Sequence, residues 1–88
     1  MAWKVEFTDR ARRQLRKLHP EIQDRLLRFL RDRVATSNDP RALASALTGE
    51  LSGYWRFRVG DYRLICRIQN EVFTVLVISV GHRKLIYQ

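Results

Sequence analysis

The segment from Tyr54 to Gln69 largely alternates side-chain type with period two and breaks once, at Gly60-Asp61. Alternation on both sides of a two-residue Gly-X break reads as a β-hairpin. The register follows. With Gly60 and Asp61 as the loop, Val59 faces Tyr62, Arg58 faces Arg63, Arg56 faces Ile65, Trp55 faces Cys66 and Tyr54 faces Arg67. Cross-strand partners share a side of the sheet. One face therefore carries Tyr54, Arg56, Arg58, Arg63, Ile65 and Arg67, and the other carries Trp55, Phe57, Val59, Tyr62, Leu64, Cys66 and Ile68. Arg58 opposite Arg63 is a like-charge pair, which destabilises an isolated hairpin. Four guanidinium groups gathered on one face in spite of that repulsion point to a site for an anion with several charges.

A chain of 88 residues has room for one domain, residues 1–88, with one modest core. It carries 17 Lys+Arg against 9 Asp+Glu, a formal net charge of +8. Lysine contributes only Lys4, Lys17 and Lys84; arginine makes up the rest. The planar guanidinium fork matches phosphate geometry and the ammonium does not. This balance fits a polyanionic partner, nucleic acid first; the plain alternative is a basic surface with no specific ligand. The single cysteine, Cys66, excludes an internal disulfide and a multi-cysteine zinc site. On the apolar face of the hairpin it is expected to be a buried hydrophobe, not a nucleophile. The start, Met1-Ala2-Trp3-Lys4, has no signal-peptide core, and the apolar run Val75-Leu76-Val77-Ile78 is too short to span a membrane. A cytoplasmic protein without membrane contact is expected.

Elsewhere Trp3, Val5 and Phe7 alternate with Lys4 and Glu6 as a short strand. Thr8 is a helix cap with Asp9 in the first turn. Ala11, Leu15 and Leu18 then form one apolar stripe. Pro20 sits where a first helical residue should, and a second helix buries Ile22, Leu26, Phe29, Leu30 and Val34. Glu21–Arg25 and Asp24–Arg28 are i,i+4 pairs on its solvated face. Residues 36–40 are turn chemistry. Leu43, Ala46 and Leu47 suggest a short helical stretch ending near Gly49. After the hairpin, a loop at Asn70-Glu71 would place Phe73, Val75, Val77 and Ser79 on the apolar face and Thr74, Leu76, Ile78 and Val80 on the arginine face. The expected fold class is α+β, in the order β-α-α-β-β-β, with two helices packed on one face of a mostly antiparallel sheet and the arginine face left open.

No Gly-rich phosphate loop, paired-carboxylate site or Ser/His/Asp set is visible, and two isolated histidines are weak grounds for a metal. No cofactor is expected. Arg83 and Tyr87 lie four residues apart, so in a helical turn they point the same way. His82, Arg83 and Lys84 follow the last strand and can approach the arginine face. A tyrosine among several cations has a lowered phenol pKa, because positive charge favours the phenolate. Such a tyrosine can take a proton from a ribose 2′-hydroxyl while arginines neutralise the phosphate. The plain alternative is that Tyr87 only packs. Tyr54, on the arginine face, can stack on a base; Trp55 and Phe57 point to the core.

The stretch Leu51-Ser52-Gly53-Tyr54-Trp55-Arg56-Phe57-Arg58-Val59-Gly60-Asp61-Tyr62-Arg63-Leu64-Ile65 resembles the central motif of the RelE/ParE toxin superfamily, and Val80-Gly81-His82-Arg83-Lys84-Leu85-Ile86-Tyr87 resembles its closing motif. With the first strand and two helices, the likeness covers essentially the whole chain. It implies the toxin half of a type II toxin–antitoxin pair. RelE-type members enter the ribosomal A site and cut mRNA by 2′-hydroxyl attack; ParE-type members inhibit DNA gyrase. Carried over by residue, the resemblance implies that Arg63 contacts the scissile phosphate. Arg56 stands at a catalytic lysine position, with Arg58 basic beside it. Arg83 assists the leaving group and Tyr87 is the general base. Tyr54 stands where the prototype has a further lysine, and Ser45 is nearest to a position where some relatives have a glutamate base.

These features lead to an mRNA interferase, a metal-independent endoribonuclease. Its catalytic set is Arg56, Arg63, Arg83 and Tyr87, and its RNA-binding set is Tyr54, Arg58, Arg67, His82 and Lys84. The implied partners are an acidic antitoxin of RelB type, mRNA and the ribosomal A site, and operator DNA only through the antitoxin. The alternatives are a ParE-like gyrase inhibitor with no catalysis of its own, and a domain whose basic face merely binds its antitoxin or operator DNA.

Overall fold

The computed structural model describes residues 2–85. Strand β1 (Lys4–Phe7) leads into α1 (Asp9–Arg16) and α2 (Pro20–Phe29), followed by β2 (Ala44–Ala46), β3 (Trp55–Val59), β4 (Tyr62–Gln69) and β5 (Thr74–His82). The sheet order is β1-β5-β4-β3-β2, with β1 parallel to β5 and every other pair antiparallel. Both helices pack on one side, around a core that includes Leu15, Leu26, Leu30, Phe57, Leu64 and Val77.

Local chemistry explains the helices. The Thr8 hydroxyl accepts from the Ala11 N–H at 3.1 Å and so caps α1, which buries Ala11 and Leu15. Pro20 opens α2, where its missing N–H does no harm, and His19 Nδ1 accepts from the Glu21 N–H at 3.2 Å. A wider π-type turn at Leu30–Val34 extends α2 and keeps Leu30 and Val34 in the core with Leu26. Of the two expected ion pairs on α2, Asp24–Arg28 forms at 3.2 Å. Arg25 turns instead to the hairpin loop at Gly60.

The β3–β4 register is the one the alternation predicts: Trp55↔Cys66, Arg56↔Ile65, Phe57↔Leu64, Arg58↔Arg63 and Val59↔Tyr62. Gly60 has φ +60° and Asp61 does not share the positive φ, the pattern of a II′ turn.

Two expectations are corrected. Helical structure stops at Leu43 and does not run on to Leu47: a 3₁₀ turn at Pro40–Leu43 leads into β2, which pairs with β3 at Ala44↔Phe57, Ser45↔Arg56 and Ala46↔Trp55. The open edge of β3 carries backbone donors and acceptors that need partners, and this outweighs the helix preference of two alanines. The second correction concerns β5. The connection from β4 spans residues 70–73 and ends on Phe73 in the left-handed region, so pairing begins at Gln69↔Thr74. Phe73 is therefore exposed and not on the apolar face. The shift of two keeps Val75 and Val77 in the core as expected. A bulge at Ile78 then reverses the alternation, so Ser79 faces Ile65 and Val80 faces Leu64, with Val80 only 3% exposed in the core. The bulge is held from α1 and its cap: the Thr8 hydroxyl donates to the Ile78 carbonyl at 3.2 Å, and Gln14 Oε1 accepts from the Val80 N–H at 2.7 Å.

Candidate functional site

On the side of the sheet away from the helices, the register arranges side chains in three rows. Arg58, Arg63 and Gly81 form the first; Arg56, Ile65 and Ser79 the second. The third joins Tyr54, whose ring lies 5.8 Å below the Arg67 guanidinium, to Arg67 and its β5 partner Leu76. Arg56 is half-buried, and Arg58 and Arg67 are exposed.

Arg63 differs from the others. It is only 6% exposed and has no acidic partner among the described residues. Its Nη1 donates to the carbonyls of Gly60 and Tyr62, each at 2.9 Å. These two dipoles partly replace the water lost on burial and soften the repulsion from Arg58. Across the ladder Gly81 has no side chain to compete for the space. The fork is thus fixed by backbone, the preorganisation that makes a donor effective toward developing charge.

Arg83 is tied to the tip of the same hairpin. Its N–H donates to the Asp61 carbonyl at 2.7 Å, and its Nε lies 3.8 Å from Asp61 Oδ1. Both side chains are solvated, so the ion pair orients Arg83 and adds little stability. His82 is placed away from the arginine face. It pairs with Tyr62, their rings meet edge to face at 5.5 Å, and it lines a recess with Gln14 of α1 and Lys17, which caps that helix. The bulge at Ile78 and its reversal of alternation put it there. Lys84 is exposed, and its N–H donates to His82 Nδ1 at 3.2 Å. Tyr87 lies outside the described residues. Ser45 faces Arg56 across the β2–β3 ladder.

Cys66 is fully buried, and burial pushes its thiol far above the ordinary range. It is a core residue and not a nucleophile. Among the described residues no group of three or more His, Cys, Asp or Glu side chains is placed to hold a metal ion, and no helix is long and apolar enough to cross a membrane.

The family described as ParE toxin of type II toxin–antitoxin systems (parDE) matches residues 5–87. This chain belongs to the RelE/ParE superfamily of type II toxins. The Toxin RelG of Mycobacterium tuberculosis is 39% identical over 88 residues, covering 100% of this chain and 99% of the relative. The mRNA interferase toxin RelE of Escherichia coli is 34% identical over 85 residues, 96% of this chain and 86% of the relative. A toxin–antitoxin complex, RelBE2 from Mycobacterium tuberculosis, contains a chain of the same fold: TM-score 0.87, 36% identity, 94% of this chain and 93% of that one.

In this toxin the sequence pattern missed two features of the face. Ile65 is 5% exposed, so the face is not evenly open. Leu51, Tyr54, Ile65 and Ile78 line a recess there, with Arg10 of α1 and Glu50 also lining it. Nothing local in the sequence marks Arg10 or Glu50 for this surface; the bulge at Ile78 and the turn at Gly49–Leu51 bring them to it.

Proposed function

We propose that this toxin is a ribosome-dependent mRNA endoribonuclease. The 2′-hydroxyl of an A-site nucleotide attacks the adjacent phosphorus and the bond to the 5′-oxygen of the next nucleotide breaks. The products are a 2′,3′-cyclic phosphate and a free 5′-hydroxyl. Arg63 holds the non-bridging oxygens, Arg56 adds charge from the neighbouring strand, Tyr87 takes the 2′-proton, and Arg83 steadies the leaving oxygen, which takes its proton from water. No metal is required, because arginines supply the positive charge. The observation that carries this is the buried, backbone-fixed fork of Arg63 on a face shared with Arg56. The 34% identity to an mRNA interferase supports it.

The partner proposed is an acidic antitoxin of RelB type, since a similar fold is found in a toxin–antitoxin complex and this chain carries +8. Its association should accelerate at low salt.

A second reading, gyrase inhibition without catalysis, is favoured by the family description, which names ParE. Incubation of the toxin with mRNA-programmed ribosomes in their ordinary magnesium buffer, run beside a gyrase supercoiling assay, separates them. Cleavage in the A-site codon supports the nuclease; intact mRNA together with blocked gyrase supercoiling supports the ParE-like reading.

A further inference from the structure

We propose that the recess between Glu50, Tyr54, Ile65 and Ile78 binds one guanine base of the mRNA, with Glu50 as the residue that selects it. The proposal rests on the ribonuclease reading and adds a specificity determinant to it.

The recess measures about 320 Å³, at the small end of the range for small-molecule sites, roughly 300–1,000 Å³. Its aliphatic lining is Leu51, Ile65 and Ile78, and its ring is Tyr54. Arg67 lies over the Tyr54 ring and steadies it. Apolar floor plus aromatic ring is what an unstacked RNA base requires. The location fits as well. Ile65 follows Arg63 by two residues on β4, about 7 Å along the strand, and sits directly across from Arg56. A phosphate held by Arg63 and a base over Ile65 are therefore one nucleotide apart.

Glu50 decides which base. It is exposed, lines the recess and has no hydrogen-bond or ion-pair partner among the described residues. A carboxylate there repels a phosphate, so the recess does not suit backbone. An ionised carboxylate is acceptor-only with two oxygens. It matches two adjacent donors, which guanine alone presents, as N1–H and the N2 amine. Cytosine and adenine each place a ring acceptor beside their amine, and uracil flanks its N3–H with two carbonyls. Arg10 lines the same recess, and a guanidinium suits the O6 and N7 acceptors on the other edge of guanine.

The experiment uses ribosomes carrying guanine, inosine or adenine at each A-site position in turn. Inosine lacks only the N2 amine. Expected is one position at which kcat/KM follows guanine above inosine above adenine, with guanine over adenine roughly 5- to 150-fold. Affinity for mRNA with a 2′-deoxy nucleotide at the cut site should keep the same order. Glu50→Gln, which offers one acceptor and a clashing amine, should collapse the ratio. Cleavage with no guanine advantage at any position overturns the proposal, as does an equal fall on all codons in Glu50→Gln, which would assign Glu50 to proton transfer. A guanine advantage that persists undiminished in Glu50→Gln also overturns the proposal, and Glu50→Ala, at an exposed position, gives the same readout should Glu50→Gln fail to fold. Neither cleavage nor binding by the unmodified toxin would instead overturn the ribonuclease reading.

Discussion

Arg25 of α2 lays its guanidinium against Gly60 at the tip of the hairpin, so close that a Cβ on Gly60 would sit 2.9 Å from both Nη1 and Nη2. Gly60 also has φ +60° and gives its carbonyl to Arg63. Gly60→Ala therefore meets two obstacles. The Arg25 terminus can swing aside, so the larger one is the left-handed backbone, at roughly 1–2 kcal/mol for a residue with a Cβ. We expect the unfolding free energy to fall by about that amount, read as a lower urea midpoint with an unchanged m-value. A loss of cleavage should accompany it, because the acceptor that positions Arg63 moves.

Arg63→Ala should lower single-turnover cleavage by ~10²–10³, the usual cost of one preorganised charge-stabilising donor. It also strands the carbonyls of Gly60 and Tyr62, so unfolding should be easier by about 1–3 kcal/mol. Arg63→Lys keeps the charge but cannot reproduce a fixed fork. It should recover stability better than rate. A lysine variant as fast as the parent would show that charge alone suffices.

Cys66 gives a pH dependence with a definite sign. Burial raises its thiol pKa in the fold, while the unfolded chain titrates near the ordinary value of about 8.5. Below that value both states hold the proton and the group adds no slope. Above it the unfolded state loses its proton first, so stability falls as pH rises, by at most about 1.4 kcal/mol per pH unit. Cys66→Ala should reduce stability by a constant amount but flatten this alkaline slope. Chemical denaturation at a series of pH values from neutral upward measures both.

The hairpin was legible because it is local: its strands touch through a two-residue loop, and alternation alone fixes which residues face which. The helices were legible for the same reason, through Thr8, Pro20 and their apolar stripes. Tertiary satisfaction of backbone groups was not legible. Ala44–Ala46 becomes a strand because β3 needs an edge partner. Ile78 becomes a bulge because Thr8 and Gln14, some seventy positions earlier (separations of 70 and 66), bind the backbone around it. That one bulge moves Val80 into the core and His82 toward the helices. Of the candidate site, the sequence indicated the arginines by period. It gave no sign that Arg63 would be buried, since its partners are carbonyl oxygens common to every residue.

Tyr87 remains the proposed general base, and the position of His82 sharpens its test. His82 packs on Tyr62 beside α1, away from Arg56 and Arg63, so it is a poor substitute for proton transfer at a phosphate on the arginine face. Tyr87→Phe removes the proton acceptor and keeps the ring. Positioned proton transfer contributes ~10²–10⁴ in rate. Single-turnover cleavage on saturated ribosomes should fall by about that factor, with ribosome affinity little changed. His82→Gln should leave the chemical step far less affected than Tyr87→Phe. The pH profile provides a second check: if a phenol is the base, the rate of the parent should climb with pH until the phenolate predominates, and Tyr87→Phe should lose that climb. A rate that falls less than about tenfold in Tyr87→Phe, short of the range for a general base, with the climb retained, would make Tyr87 a packing residue.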